Sequence, residues 1–222
     1  MRRLNLYRWL VGLPLAGYDS SLHAEQMACA LVVNHGALSN PPSAGSTCYS
    51  AAAVTARARS VVAAAPAQTP GAGVSFLMAE TLSPNVARRM ALLRGAIGQF
   101  AIGYTARDTA NYDSGLCIGV LDTTGSSERT WVAYPNEGFS PRVLATGPWS
   151  FHRVSGLLTS ATVEVRRVSD EALLAVTVGP VVEGAISFKP NGWTPAAGET
   201  YRVTVNATPG GEVVYEVTLV DC

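Results

Sequence analysis

Imidazole chemistry has few candidates in this chain. Its three histidines are His23, His35 and His152, and none lies between residues 36 and 151. His23 and His35 stand twelve residues apart on or at the end of one predicted helix, so they do not face one another closely. Both Ser-His-Asp and Cys-His arrangements need an imidazole positioned beside the nucleophile. We can name no such pair, and we expect no catalytic residues and no enzyme activity.

Four cysteines give a second set of reactive side chains: Cys29, Cys48, Cys117 and Cys222. Their spacings of 19, 69 and 105 residues match no compact metal-finger pattern. An even number of cysteines, in a chain whose only lysine is Lys189, fits two disulfides formed in an oxidising compartment. Four cysteines allow three connectivities. We expect Cys29–Cys48, because this pair closes a short loop.

Charge and hydropathy argue against nucleic-acid binding and against a membrane-spanning segment. Sixteen basic residues balance sixteen acidic ones, charged residues make up 14% of the chain, and no run of five like charges occurs. Such a chain has no broad field that would attract nucleic acid, so we expect no nucleic-acid partner. No apolar run reaches the roughly 18–20 residues of a membrane span, so we expect no transmembrane segment.

The start of the chain permits two interpretations. The basic start at residues 1–3, which contains Arg2 and Arg3, and the apolar run 9–17 could be the two regions of a signal peptide. However, Tyr7, Arg8 and Pro14 interrupt that pattern. We therefore favour the first helix of a domain and place any export signal upstream of this start. The expected location is extracellular or in the cell envelope.

The first half of the sequence mixes helix and strand patterns. Apolar residues recur at helical spacing within 19–35, an alanine-rich stretch favours a helix over 51–65, and a serine-proline start favours a third helix over 83–93. Short apolar runs between turn residues predict two strands, at 100–104 and 116–121.

The second half follows a strand pattern throughout. Alternating apolar and polar residues predict strands at 162–166, 173–178, 200–205 and 213–220. Strands at this spacing, without helical periodicity, favour an antiparallel sandwich of immunoglobulin-like type. A break at 125–127 separates the two patterns. The predicted domains are therefore 1–123 and 128–222.

Three segments of the first half, residues 5–22, residues 30–49 and residues 86–104, together carry a resemblance to a known family. They resemble the bacterial branch of the CAP superfamily, which includes cysteine-rich secretory proteins, insect venom antigens and plant pathogenesis-related proteins. The second half also looks like the β-sandwich appended to some bacterial members. The resemblance implies an α+β protein, with a CAP-like α-β-α sandwich followed by an all-β immunoglobulin-like sandwich.

Many members of that superfamily hold a divalent metal in a surface cleft with two histidines and two acidic residues. Carried over to this chain, those positions fall on Asn40, Ser60, Glu80 and Arg88, or on Val86 in place of Arg88 in a second register. Asparagine, serine and arginine do not complete a zinc site around one glutamate. The resemblance therefore implies a degenerate cleft with no metal and no cofactor. If Arg88 lies opposite Glu80, we expect a salt bridge there.

The resemblance also implies a class of function. A metal-free cleft suits an exported, non-enzymatic protein that binds a small apolar ligand, such as a sterol or other lipid, or a protein partner. Lipid binding is a property of some family members. An architectural or adhesion protein of the cell surface is the alternative, and an extracellular hydrolase is less favoured because no nucleophile–base pair can be named.

Overall fold

The computed structural model describes residues 1–65, 69–80, 85–106, 112–154 and 158–221. Of these described residues, 38% lie in strands and 25% in helices, and the described strands form three sheets. The predicted α-β-α sandwich is therefore wrong, because the protein is rich in β structure and its described helices are short. One cause is the alanine-rich stretch 51–65, which forms a helix only as far as Ala58. Its remainder pairs as a strand with Ser114–Gly119.

The described helices are nowhere longer than 12 residues. In chain order they are α1 (Arg2–Leu10), α2 (His23–Asn34), α3 (Ala51–Ala58), α4 (Pro70–Ala79) and α5 (Ala87–Leu92). Short 3₁₀ turns at Ser20–Leu22 and Arg142–Ala145 accompany them.

The strands divide between a sheet of short strands early in the chain and two sheets later. The first four are β1 (Gly17–Tyr18), β2 (Ser60–Ala65), β3 (Gln99–Ala106) and β4 (Ser114–Gly119). The others are β5 (Trp131–Tyr134), β6 (Gly138–Pro141), β7 (Trp149–Arg153), β8 (Ser160–Arg167), β9 (Ala172–Leu174), β10 (Val176–Val182), β11 (Ala185–Pro190), β12 (Thr200–Thr208) and β13 (Gly211–Val220).

Contacts between residues divide the chain into two compact units. The first unit contains Met1–Arg8, Pro14–Met78 and Ala91–Ser127. The second contains Trp9–Leu13, Ala79–Met90 and Glu128–Cys222. Two short segments from the first half of the sequence therefore belong to the second unit.

The first unit is built on a four-stranded sheet in the order β1-β3-β4-β2. The β1–β3 pair is parallel and the other two pairs are antiparallel. Helix α2 lies directly against β3 and β4, where Gly103 and Gly115 face its backbone. A Cβ at Gly103 would overlap the carbonyl group of Gln26, and one at Gly115 would overlap the carbonyl oxygen of Ala30. Only glycine permits this close approach of helix and strands.

A disulfide joins Cys29 of α2 to Cys117 of β4, 88 residues apart in sequence. Both half-cystines are fully buried. The predicted Cys29–Cys48 pairing is wrong, because Cys29 lies on the face of α2 that packs against the sheet, whereas Cys48 is exposed and carries a free thiol. Cys222 lies outside the described residues.

Arg8 holds the loops around α1 through hydrogen bonds to backbone carbonyls. Its buried guanidinium donates hydrogen bonds to the backbone carbonyls of Pro14, Leu92, Arg94 and Ile97 at 2.9–3.2 Å. Burial lowers the pKa of Arg8 to about 10. The arginine that interrupts the apolar start of the sequence is therefore a structural centre of the first unit.

The second unit contains two sheets, of four strands (β10-β11-β7-β5) and five strands (β6-β13-β12-β8-β9), that share one apolar core. The strands predicted at 162–166, 200–205 and 213–220 are confirmed as β8, β12 and β13. The pair β13–β6 is parallel, which the antiparallel prediction did not include.

Candidate functional site

The first two cleft positions inferred from the resemblance lie in the first unit. Asn40 is exposed in the loop after α2. Ser60 begins β2, and its hydroxyl donates to Oε1 of Gln26 at 2.8 Å and to the carbonyl of Ala56 at 2.6 Å. No hydrogen bond between Asn40 and Ser60 is found in the described part of this unit. Ser60 therefore serves local structure, because it joins α2, α3 and β2.

The third position, Glu80, lies in the second unit and is only 2% exposed. Its Oε1 accepts a hydrogen bond from the backbone N–H of Arg89 at 2.9 Å. Arg89 is the third residue of α5, so the carboxylate satisfies an N–H group at the helix start that lacks an intrahelical partner. Oε2 has no hydrogen-bond partner in the described structure.

The two neighbouring arginines of α5 have different environments. Arg88 is half-buried, and among the described residues it forms no ion pair with Glu80, so the expected salt bridge is not formed. Arg89 is 1% exposed, and its guanidinium donates to the carbonyls of Pro148 and Ala79 and to the hydroxyl of Ser150. Sequence reasoning missed Arg89, because two adjacent arginines give no signal of which one faces inward.

Arg89 also shows how the segment Ala79–Met90 belongs to the second unit. Its guanidinium lies 4.2 Å from the ring centroid of Tyr134, a cation–π contact. Tyr134 and Ser150 are on the face of the four-stranded sheet opposite the apolar core, and both are buried. This sheet is therefore covered on both faces in that region.

The described structure gives no evidence for metal binding at the four cleft positions. Within residues 1–65, 69–80, 85–106, 112–154 and 158–221, no group of three or more histidine, cysteine, aspartate or glutamate side chains could hold an ion. Of the four cleft positions only Glu80 carries a carboxylate, and one of its oxygens caps α5.

A groove in the first unit has the size and surface of a ligand site. Its volume is about 590 Å³, and it is formed by the starts of α1, α2 and α4 and by β3. Met27, Val74, Ile102 and Tyr104 are among its apolar and aromatic lining residues. Ligand sites typically have volumes of about 300–1,000 Å³ and are lined predominantly by apolar and aromatic side chains. Sequence reasoning missed this groove, because residues from four separate segments form it.

One polar pair lies at the wall of the groove. The hydroxyl of Tyr18 lies 2.8 Å from Nδ1 of His23, and the same nitrogen lies 3.3 Å from the carbonyl oxygen of Ile102. The two rings meet edge to face, with 6.4 Å between their centroids. Nδ1 of this imidazole is therefore engaged with neighbours in the protein.

Two cationic side chains, Arg2 and Arg3, complete the lining. Both are exposed, and neither forms an ion pair or a side-chain hydrogen bond with any described residue. No aspartate or glutamate belongs to the described lining. The groove thus combines an apolar wall with a basic rim.

A smaller cavity of about 370 Å³ lies in the second unit, beside β6 and the end of β13. Pro141, Val143 and Val220 are among its apolar lining residues. Its two charged residues neutralise each other, because Nε of Arg142 lies 2.7 Å from Oδ1 of Asp221. Compared with the groove, the described lining of this cavity offers a ligand less apolar surface and no unpaired charge.

Comparison with known proteins finds no family model that matches the chain and no match among curated proteins. The resemblance to the CAP superfamily therefore stays a prediction. None of the described helices combines the length and apolar character that a membrane-spanning helix needs.

Proposed function

We propose that the protein is an exported, non-enzymatic binding protein whose first unit holds a small apolar ligand in the groove between α1, α2, α4 and β3. The observation that carries this proposal is the groove itself, with its volume of about 590 Å³ and its wall of Met27, Val74, Ile102 and Tyr104. Burying the apolar surface of a ligand against these side chains would contribute roughly 25 cal/mol per Å².

The composition of the groove favours binding over catalysis. Its described lining includes no serine, cysteine, aspartate or glutamate, and its one imidazole is that of His23. Nδ1 of His23 already lies within hydrogen-bond distance of Tyr18 and Ile102. A nucleophile would therefore have no paired base here, and acyl transfer needs that pair.

The disulfide supports the exported location. Cys29–Cys117 joins a helix to a central strand inside the core of the first unit. Disulfides form and persist in secreted and cell-envelope compartments and are rare in the cytosol of mesophiles. Export to an oxidising compartment would let this bond form as the first unit folds.

Binding of the neutral fluorescent dye N-phenyl-1-naphthylamine tests the proposal. We expect a saturable rise in fluorescence with the unaltered protein. Gly71 lines the groove, and a Cβ added there would meet only ordinary contacts, the nearest being Cβ of Arg3 at 3.9 Å. Gly71→Phe should therefore fill the groove without disturbing the fold and weaken dye binding at least about tenfold.

Gly45→Phe is the matched control, because Gly45 lies in a loop of the same unit and a Cβ there meets nothing within 4 Å. It should bind the dye like the unaltered protein. Thermal unfolding of both variants establishes that they are folded. Absence of saturable binding by the unaltered protein, or equal binding by Gly71→Phe, would show that the groove is not a ligand site.

A further inference from the structure

The basic rim of the groove is formed by Arg2 and Arg3, at the start of α1. Six arginines elsewhere in the described chain form ion pairs with carboxylates: Arg59, Arg129, Arg142, Arg166, Arg167 and Arg202. Among the described residues Arg2 and Arg3 have no such partner, although both are long side chains at the edge of an apolar groove. Their positive charge is therefore available to a molecule bound there.

Backbone dipoles add to this charge. Helices α1 and α4 have 9 and 10 residues, and the first residue of each, Arg2 and Pro70, lines the groove. A helix N-terminus carries a partial positive charge and favours a nearby anion. No carboxylate belongs to the described lining, although the Thr69 hydroxyl already accepts a hydrogen bond from the N–H of Ala72 in the first turn of α4.

We propose that the groove takes an amphiphile with an oxyanion head group, a carboxylate or a phosphate, whose head binds Arg2 and Arg3 while its apolar part lies along Met27, Val74 and Ile102. This inference rests on the proposed function, since it names the chemical class of the same ligand. Guanidinium groups suit the role, because their planar donors bind carboxylate and phosphate oxygens in pairs.

The test is displacement of the bound dye by three compounds of twelve carbon atoms: dodecanoate and dodecyl phosphate, each below its micelle-forming concentration, and dodecanol, below its solubility limit. We expect each anion to displace the dye at a concentration at least about tenfold lower than dodecanol, as charge-assisted hydrogen bonds to arginine require. A preference for dodecanoate identifies a carboxylate ligand, and a preference for dodecyl phosphate identifies a phosphate ligand.

The variant Arg2→Gln/Arg3→Gln removes the rim charge. In it the anions should lose their advantage to within about twofold, while displacement by dodecanol stays unchanged. Arg88→Gln/Arg94→Gln is the control, since it removes the same charge from two arginines outside the groove lining and should keep the preference. Gly71→Phe should weaken displacement by all three compounds, which separates binding in the groove from binding to surface charge.

The outcomes for the head group and for the groove are distinguishable. Equal displacement by dodecanol and both anions, or an anion preference that survives Arg2→Gln/Arg3→Gln, overturns the inference and leaves the groove as a site for neutral ligands. Failure of the dye to bind at all removes the proposed function and this inference with it.

Discussion

The backbone N–H of Arg89 donates a hydrogen bond of 2.9 Å to Oε1 of Glu80, nine residues earlier in the chain. The bond caps the start of α5, where the negative carboxylate also meets the favourable end of the helix dipole. Glu80 thus has a structural task in the position where the CAP resemblance implied a cleft acid.

Replacement of Glu80 tests this capping role. Glu80→Ala should lower the free energy of unfolding by about 1–2 kcal/mol, because the N–H of Arg89 loses its acceptor inside the protein. Glu80→Gln keeps an oxygen acceptor of the same reach and should lose less than half as much. Urea denaturation measures both changes. A Glu80→Gln variant as unstable as Glu80→Ala would contradict the capping role.

The adjacent arginines of α5 give a matched pair for a second prediction. Arg89→Met should lower the free energy of unfolding by at least about 2 kcal/mol, because Arg89 is buried and the carbonyls of Ala79 and Pro148 lose their donors. Arg88→Met should stay within about 0.5 kcal/mol of the unaltered protein, as is usual for a side chain without specific partners. Chemical denaturation of both variants measures the two free energies of unfolding. Equal losses in Arg88→Met and Arg89→Met would contradict the assignment of Arg89 as the buried, hydrogen-bonded arginine.

These two arginines show what sequence patterns resolve and what they leave open. The segment 83–93 contains a helix, but the described helix begins at Ala87. Which of its faces turns inward depends on the contacts of Arg89 with Tyr134 and Ser150, which lie far along the chain. The strands β8, β12 and β13 were predictable because their alternation is local. The inward-facing arginine was not, because its partners are distant in sequence.

The helix predicted over 51–65 failed for a related reason. Alanine favours helix in an isolated peptide, but pairing with β4 places Val61 and Ala63 in the buried sheet. Tertiary pairing overrides such propensities. The groove could not be predicted from the sequence either, because it depends on how α1, α2, α4 and β3 pack together and not on a motif in any one of them.

The disulfide between Cys29 and Cys117 gives the third prediction. Cys29→Ala/Cys117→Ala should lower the free energy of unfolding by about 4–5 kcal/mol, the loop-closure contribution of a cross-link over 88 residues. Cys48→Ala should change it by less than about 0.5 kcal/mol, because that thiol is exposed and free. Peptide mapping of the oxidised protein should recover Cys29 linked to Cys117. Recovery of Cys29 linked to Cys48 would contradict the structure.

Asp122 gives the first unit a dependence on pH. Partial burial raises the pKa of its carboxyl, but hydrogen bonds from Thr124, Gln99 and Gly98 outweigh that effect and hold the pKa below its ordinary value of 3.8. A depressed pKa means that the ionised carboxylate stabilises the folded protein above the unfolded pKa. This contribution is lost as the pH falls through the folded value.

Asp122→Asn removes the charge and tests that dependence. The free energy of unfolding of the variant should lie below that of the unaltered protein at neutral pH. The gap should close progressively between about pH 5 and about pH 2. Urea denaturation at several pH values measures the gap. A gap that stays constant across that range would show that Asp122 makes no pH-dependent contribution.

For two buried tyrosines of the second unit, we expect loss of the hydroxyl to have opposite effects on the free energy of unfolding. The Tyr215 hydroxyl has no hydrogen-bond partner among the described residues, and burial raises the pKa of this phenol. The Tyr201 hydroxyl accepts a hydrogen bond from Nε1 of Trp193 at 3.0 Å. Tyr215→Phe should therefore leave the protein equally stable or more stable, because an unsatisfied buried hydroxyl is removed.

Tyr201→Phe should lower the free energy of unfolding by about 1 kcal/mol, since Trp193 then loses its acceptor. Both substitutions keep the aromatic ring and hence its contacts, which for Tyr215 include Trp131 at a centroid distance of 5.3 Å. Thermal or urea unfolding of the two variants side by side isolates the hydroxyl groups. A larger loss in Tyr215→Phe than in Tyr201→Phe would mean that the Tyr215 hydroxyl has a partner that stabilises the sandwich core.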